Sequence, residues 1–337
     1  MQDNLISKNK SLSLKFVAVI LMILFHTFAF PDRIKDVEYI SLLKINGQAI
    51  EFYIAKLGII CVGMFTFLSG YGLYVSYNKN VTYKGVLKRI YNIYLNYWVV
   101  FIIFIPIGLY MNRYVFNLKQ FIMNFIGISD SYNGEWWFLR LYIMLLIMYP
   151  LIIKITKKLD KYIILSISLL VNIIGLILSK IFILMGVKSI IINLVVIFLR
   201  GQFLFILGII IAKYGIYTKL KNKIGLSKKG YYIFLTFILV VTSLIIEVQV
   251  IDEVAKLILV PIIIFILANI ISENSILSKL GKHSTNMWLT HSFFCYYLFQ
   301  EITFIMKYSI VIIIQLIFIT IIVSIIVNKF LKFIKIY

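Results

Sequence analysis

Lys15 and His26 lie eleven residues apart in the first apolar segment of the chain, and together they offer a cation and a titratable imidazole. Eleven steps of about 100° end about 20° past three full turns, so on a helix both side chains lie on nearly the same face. The rise between them is roughly 16 Å, about half the hydrocarbon thickness of a bilayer. If Lys15 marks the cytosolic edge, His26 lies past the middle of the membrane. An imidazole is costly there, so His26 is a candidate functional group.

A second histidine and two arginines also stand in apolar surroundings. His291 lies roughly 10 Å into the bilayer from the cytosolic side if Ser284 is the N-cap of a helix. Arg140 follows the tryptophans that open the fourth apolar segment, so we expect it to face the bundle interior and to pair with Glu135 or another acid. Arg200 lies in the middle of a later segment and needs a polar partner for the same reason. Imidazole can take a proton from a hydroxyl near neutral pH, which acyl transfer to a sugar requires.

Ser69 and the basic pair Lys88 and Arg89 each have two interpretations. Ser69 lies in the small-residue run 63–72, which is either a helix contact or a place where a ligand approaches the backbone. Lys88 and Arg89 lie in a short basic loop. Such a loop either sets the membrane topology or binds the phosphates of an anionic ligand such as coenzyme A.

Composition indicates an integral membrane protein. Of the 337 residues, 62% are hydrophobic, and a soluble domain cannot bury that much apolar surface. The first apolar segment has basic flanks but no small-residue cleavage site, so we interpret it as a retained helix and not as a signal peptide. Cys61 and Cys295 are expected to be buried small hydrophobes. No spacing typical of metal ligands is present, so no metal site is expected.

The apolar pattern predicts an all-α fold, a polytopic membrane helical bundle of about ten transmembrane helices. A single transmembrane domain over residues 1–337, with no soluble domain, is expected. The predicted spans are roughly 14–30, 53–77, 93–111, 134–154, 161–180, 189–213, 231–248, 255–271, 284–304 and 308–330.

The distribution of charge predicts how these spans are oriented. With the N-terminus inside, roughly two thirds of the 34 Lys and Arg residues fall in the inner segments, and most of the 13 acidic residues lie elsewhere. Both termini are therefore expected in the cytosol, on a multi-pass protein of the cell membrane. The net charge of +21 then orients the protein and faces membrane lipids, and nucleic acid is not an expected partner.

Several of these residues belong to an ordered set of short motifs that covers nearly the whole chain. The set consists of Lys15 with His26, Phe67-Leu68-Ser69-Gly70-Tyr71, Arg89-Ile90-Tyr91-Asn92 with Tyr97-Trp98, Trp137-Phe138-Leu139, and Gly281 to His291. In this order they resemble the basic-x10-His, FLSGY, R-x-x-R…PxYW, WFL and G-x-x-S…YL-x-H motifs of the membrane acyltransferase 3 family. The chain departs from the family pattern at three positions, where arginine, proline and tyrosine are usual: Asn92, Leu95 and Trp288.

The resemblance implies a bacterial O-acyltransferase. Such an enzyme transfers an acyl group, usually acetyl, from cytosolic acyl-CoA to a hydroxyl of an envelope carbohydrate or lipid-linked sugar. On this view Lys15, Lys88 and Arg89 hold coenzyme A at the cytosolic mouth. His26 is expected to be the general base and His291 to orient the thioester or assist proton transfer, but the residues alone leave open which histidine is the base.

Three further residues are expected to contact substrate. They are Ser69, Trp137 and Arg140, and the last of them is expected either to bind the acceptor or to stabilise the oxyanion. The expected partners are therefore acyl-CoA, a carbohydrate or lipid-linked acceptor, and membrane lipids. The identity of the acceptor and the oligomeric state stay open.

Two other functions fit part of the same pattern. Intramembrane His and Arg residues also suit a secondary transporter or a flippase of envelope glycan precursors, although no repeat or pair of broken helices supports that alternative. A glycan polymerase is a third interpretation, but the long outer loop expected of one is absent from this sequence, whose longest outer stretch is about 31–52.

Overall fold

Helices account for most of the residues that the computed structural model describes, which are 5–35, 37–77, 82–187, 189–245 and 249–335. The helices are α1 Lys8–Phe28, α2 Ile50–Lys56, α3 Cys61–Tyr77, α4 Tyr83–Tyr110, α5 Leu118–Phe125, α6 Trp137–Lys158, α7 Lys161–Leu184, α8 Ile190–Tyr214, α9 Ile216–Ile224, α10 Lys228–Ile245, α11 Gln249–Ile270, α12 Ile276–Leu280, α13 Ser284–Ser292, α14 Gln300–Phe304 and α15 Ser309–Lys335. Short 3₁₀ turns lie at Pro31–Arg33, Leu57–Ile60, Gly134–Trp136 and Gly281–His283. One antiparallel hairpin pairs β1 (Lys44–Ile45) with β2 (Gln48–Ala49). The predicted all-α bundle is confirmed.

Seven helical stretches of the described chain are long and apolar enough to cross a membrane, which makes this a multi-pass membrane protein. They are Lys8–Phe28, Ile50–Tyr77, Tyr83–Tyr110, Gly134–Lys158, Lys161–Leu184, Ile190–Tyr214 and Ser309–Phe333. The other three predicted spans correspond to α10, to α11 and to the stretch from α13 to α14. The last residues of the first of these, 246–248, lie outside the described part of the chain. The number ten therefore stays a prediction.

The helix α1 occupies the centre of the bundle. It contacts α2, α3, α11, α12, α13 and α15. The Ser7 hydroxyl caps its start by accepting a hydrogen bond from the Lys10 amide at 3.1 Å. Because α1 continues unbroken to Phe28, it carries Lys15 and His26 on one rigid element with the helical spacing expected from the sequence.

Two glycines allow α3 and α8 to pack with their backbones in contact. A Cβ on Gly70 would overlap the carbonyl oxygen of Phe205, and a Cβ on Gly208 would overlap that of Phe67. Small residues permit this close approach between membrane helices. For Gly70, then, the structure bears out the helix-contact interpretation of the small-residue run.

The chain enters α13 through a 3₁₀ turn. A Cβ on Gly281 would overlap the backbone carbonyl of Leu12, so this glycine lets the turn lie directly on α1. The predicted N-cap role of Ser284 is wrong, because α12, the 3₁₀ turn and α13 follow one another without a break and the Ser284 hydroxyl donates to the Gly281 carbonyl at 2.9 Å. The capping serine is Ser275, which accepts from the Leu277 amide at 3.1 Å.

The predicted span 284–304 is not one regular helix. A π-helical turn at Phe293–Tyr297 follows α13, and the chain resumes as the short helix α14. The amides of Leu298 and Phe299 both bond to the carbonyl of Phe293, at 2.9 Å each. Such turns are frequent beside functional sites, and this one begins two residues after His291.

Candidate active site

His26 lies beside a carboxylate at the last turn of α1. Its Nε2 is 3.1 Å from Oε2 of Glu135, and the two side chains are only 11% and 12% exposed. Glu135 lies in the 3₁₀ turn Gly134–Trp136 that opens α6, and the Asn133 side chain caps this turn by accepting from the Glu135 amide at 3.1 Å. The turn thus holds the carboxylate against α1.

Glu135 has two further polar partners. Arg33 NH1 lies 3.3 Å from Oε1, and the Tyr296 hydroxyl donates a hydrogen bond to the same oxygen. The same Arg33 nitrogen is 3.5 Å from Nδ1 of His26. A buried carboxylate is tolerated when such donors surround it, and here they also fix the direction in which it faces the imidazole.

His291 completes a histidine pair from the other side. It is fully buried on α13, and the centroid of its ring lies 5.2 Å from that of His26. Its Nδ1 is 2.7 Å from the carbonyl oxygen of Trp288. Since a carbonyl only accepts, Nδ1 carries the ring proton, and Nε2 of the neutral ring is an acceptor. That Nε2 is buried and has no hydrogen-bond partner among the described residues.

A cavity of about 640 Å³ opens beside this network. Of the eight predicted site residues, three line it, namely His26, Trp137 and Arg140. Its other polar and charged side chains come from several helices and loops and include Arg33, Asp130, Glu135, Asn193, Arg200, Glu253 and Lys256. Aromatic rings lie among them, from Phe25, Phe30, Phe138 and Trp288. A volume of this size and mixed lining suits a small organic ligand such as one or two sugar units.

The two arginines of the apolar segments both have the partners that their burial requires. Arg140 donates to the Ile128 carbonyl at 3.1 Å and to Asp130 at 2.8 Å, so its acid is Asp130 and not Glu135. Arg200 donates to Glu253 at 2.9 Å and to the Ser179 hydroxyl at 3.2 Å. Two nitrogens of Arg140 are therefore already engaged at the edge of the cavity.

The remaining predicted residues lie on the other side of His26, towards the start of α1. The charges of Lys15 and Arg89 are close enough to repel each other, and neither has an acidic partner among the described residues. Arg89 donates from Nε to the Tyr77 hydroxyl at 3.2 Å. The Ser69 hydroxyl donates to the Phe65 carbonyl of its own helix at 2.7 Å and lies beside the Tyr142 hydroxyl. The prediction that Lys88 and Arg89 lie in a loop is wrong, because α4 begins at Tyr83 and both residues belong to its second turn, where Lys88 is exposed. These cations and the histidine pair thus occupy different levels of the bundle, joined by α1.

The sequence reasoning missed Glu135 as a partner of His26, and it missed Arg33 and Tyr296 altogether. Arg33 follows His26 by seven residues, just beyond the predicted span 14–30, and its charge there was an available signal. Tyr296 follows His291 by five residues, within the predicted span 284–304, where nothing distinguished it from the neighbouring aromatic residues. The predicted buried, free state of Cys61 and Cys295 is confirmed.

Comparison with known proteins adds one positive finding. Residues 12–329 match the model of a protein family described as an acyltransferase domain. No curated protein and no solved structure matches the chain. The matched range contains every site residue named above, and their individual roles rest on the geometry.

Proposed function

We propose that the chain, which belongs to the acyltransferase 3 family, transfers an acyl group from cytosolic acyl-CoA to a hydroxyl of an envelope carbohydrate or lipid-linked sugar. Family membership makes the protein an acyltransferase, and its long apolar helices make it a multi-pass membrane protein. Membership also favours the enzyme over the transporter and flippase alternatives. Acetyl is the proposed acyl group, and the cell membrane with both termini cytosolic is the proposed setting.

One observation carries the proposal: the cavity wall presents a histidine paired with a carboxylate. Of the two candidate bases, His26 lines the cavity and contacts Glu135, whereas His291 lies behind it, fully buried. A base needs access to the proton that it abstracts, and a carboxylate beside it stabilises the imidazolium that forms. We therefore assign the general base to His26.

The geometry also assigns the nitrogen that takes the proton. Glu135 faces Nε2, so Nε2 carries the ring proton and Nδ1 is the basic atom. Arg33 Nη1, which can only donate, lies 3.5 Å from Nδ1, so the acceptor hydroxyl is proposed to replace this long contact on the side where Arg33 is 38% exposed. In the proposed step, Nδ1 takes the hydroxyl proton while the oxygen attacks the thioester carbonyl. The C–S bond then breaks, and the imidazolium returns its proton to the leaving thiolate of coenzyme A.

His291 suits proton transfer better than polarisation of the thioester. Its Nε2 is an acceptor in the neutral ring, so it cannot donate to a carbonyl or an oxyanion unless it is first protonated. Its ring lies 5.2 Å from that of His26 between centroids, and its Nε2 has no partner among the described residues, so it is available to accept a proton during the reaction. We propose that His291 assists His26 in this way.

The donor is proposed to bind at the level of Lys15 and Arg89. Two like charges near each other, without an acid among the described residues, are costly unless an anion binds them. Coenzyme A carries phosphates at one end and its thioester at the other. The roughly 16 Å between Lys15 and His26 along α1 separates a phosphate level from a reaction level. Ser69 and Tyr142, which lie near Arg89, are proposed to contact the thioester arm.

Trp137 is proposed to hold the acceptor. Its half-buried ring lines the cavity two residues after Glu135, and the flat face of an indole is a suitable platform for a sugar ring. Arg140 stands one helical turn further along the same wall. Because its nitrogens bond to Asp130 and Ile128, Arg140 is proposed to shape the acceptor site and not to supply the oxyanion donor.

The test compares two histidine variants in proteoliposomes supplied with radiolabelled acetyl-CoA and envelope extract. His26→Ala should lower acetyl transfer by about 10²–10⁴-fold, which is the usual contribution of a general base. His283→Ala is the matched control, because His283 bonds to Ser324 at 2.9 Å outside the cavity and should leave transfer near normal. Thermal unfolding checks that both variants fold. If folded His26→Ala keeps near-normal turnover, His26 is structural and another base must act.

A further inference from the structure

A second charged cluster lines the same cavity as His26. It consists of Arg200 on α8 and of Glu253 and Lys256 on α11, and we refer to these three residues as the Arg200 cluster. Arg200 NH2 and Lys256 Nζ lie 2.9 Å and 3.1 Å from the same carboxylate oxygen of Glu253. The side chains are 36%, 38% and 20% exposed for Arg200, Glu253 and Lys256. They therefore present charge to the cavity and are not sealed within the bundle.

The cluster holds more positive charge than a structural link requires. One ion pair between Arg200 and Glu253 is enough to tie α8 to α11, and Lys256 adds a second cation to the same carboxylate. Over the described lining of the cavity, four cationic side chains face three carboxylates. Unbalanced charge within apolar helices is costly, so such residues mark binding sites for groups of the opposite sign. The cavity lining thus carries one positive charge more than its carboxylates neutralise.

The cluster lies within reach of the histidine site. Gly201, the neighbour of Arg200, packs against the Leu141 side chain on α6. Leu141 follows Glu135 by six residues, or about 9 Å along a helix. That separation is of the order of one or two sugar units. One ligand can therefore contact both ends of the cavity.

A second cavity lies beside the first at the cluster. Arg200 and Asn193 line this second cavity of about 550 Å³, together with Ser179 and Ser189. Arg200 thus borders both cavities, and the second one has hydroxyl and amide groups together with six apolar side chains in its lining. A chain of linked sugars, longer than the first cavity alone can hold, fits this arrangement.

We infer that the acceptor is an anionic glycan. Its acid group binds Arg200 and Lys256 and partly replaces Glu253 as their partner. A hydroxyl on the same or an adjacent sugar then faces His26. This inference rests on the proposed function and names the substrate class of that site. The acid group is a carboxylate or phosphate, and it belongs either to the sugar chain itself or to the diphosphate of a lipid carrier.

The first test asks which envelope material accepts the acetyl group. Envelope extract from cells lacking the protein is divided into a neutral water-soluble pool, an anionic pool retained on an anion exchanger, and a lipid-linked pool extracted into organic solvent. Each pool is incubated with the wild-type protein in liposomes and radiolabelled acetyl-CoA. Label in the anionic or the lipid-linked pool is expected and identifies the source of the acid group. Label mainly in the neutral pool overturns the inference but leaves acyl transfer intact, whereas label in none contradicts the proposed function.

The second test asks whether the Arg200 cluster is responsible. Arg200→Gln should raise the amount of the accepting pool needed for half-maximal labelling about 10- to 150-fold, as expected for loss of a charge-assisted contact, with the KM for acetyl-CoA changed less than about twofold. Arg200→Lys, which keeps the charge, should recover most of the loss. Arg113→Gln is the matched control, because Arg113 pairs with Glu301 at 3.3 Å away from the cavity. If folded Arg200→Gln behaves like this control, whichever pool is labelled, the inference is wrong.

Discussion

Replacement of Glu135 by glutamine tests the pairing that supports His26 as the proposed general base. The change keeps the shape of the side chain and removes its charge. In the ground state it exchanges one hydrogen-bond partner of His26 for another. In the transition state it removes the anion beside the imidazolium that forms when His26 takes the proton. The effect should therefore fall mainly on kcat and not on the KM for either substrate.

The structure sets the magnitude of this effect. Opposite unit charges 3.1 Å apart attract each other by about 5 kcal/mol at an effective dielectric constant of about 20. The neutral hydrogen bond that glutamine keeps is worth about 1 kcal/mol, so a loss of roughly 3–4 kcal/mol and a fall in kcat of about 10²–10³-fold are expected. A glutamine amide can also donate to Nε2, which would move the ring proton to the nitrogen that must act as the base. Both effects lower the rate.

Single-turnover transfer of radiolabelled acetyl groups measures the chemical step. Glu301→Gln is the control, because Glu301 is an exposed partner of Arg113 and should not affect the rate. The double variant His26→Ala with Glu135→Gln should be no slower than His26→Ala alone, since residues that act as one unit are not additive. The reasoning is refuted if folded Glu135→Gln keeps kcat within about threefold of the wild type, or if the two losses add.

Three further results are expected. Arg89→Ala should raise the KM for acetyl-CoA about 10- to 150-fold, with a smaller change in kcat. Added salt should weaken the binding of acetyl-CoA to the wild type. Steady-state kinetics at several ionic strengths measure both effects. Single cysteines in place of Lys44 and Asn222, which are both exposed, should react differently with a membrane-impermeant maleimide on intact cells. The cysteine at position 44 should be labelled and the cysteine at position 222 should not. The reverse result would invert the predicted topology. Gly70→Ala should lower the free energy of unfolding by about 1–3 kcal/mol, because a Cβ there overlaps the backbone of α8. Gly72→Ala is the control and should not lower it, because the space around Gly72 is open. Equal effects would show that the close contact of α3 and α8 is not the reason.

The sequence sufficed for features that depend on neighbouring positions along one helix. The alignment of Lys15 with His26 follows from helical periodicity, and the structure keeps both on the unbroken α1. The need of Arg140 for an acid follows from its apolar surroundings. The choice of that acid does not, because Asp130 and Glu135 both lie close to it in sequence. Only the 3₁₀ turn, which directs Glu135 to α1, decides between them.

Features that join distant segments were beyond the sequence. His26 and Glu135 belong to different helices, and no local pattern relates them. The same limit applies to the Arg200 cluster, where the sequence required a polar partner for Arg200 and only the packing of α8 near α11 identifies Glu253. The length of the apolar segment also could not show that a π-helical turn follows His291, because hydropathy does not report the hydrogen-bond pattern of a helix.

The spacing of eleven residues between Lys15 and His26 gains a physical reason from the structure. An α-helix turns by about 100° per residue, so a spacing of ten or twelve would rotate the imidazole by that angle around α1. His26 would then face away from Glu135 and the cavity, while Lys15 kept its place near Arg89. Since α1 contacts helices on several sides, the rotation cannot be absorbed by turning the whole helix without breaking the Gly281 contact with Leu12. The spacing therefore couples the level proposed for the donor phosphates to the orientation of the proposed base through one rigid helix.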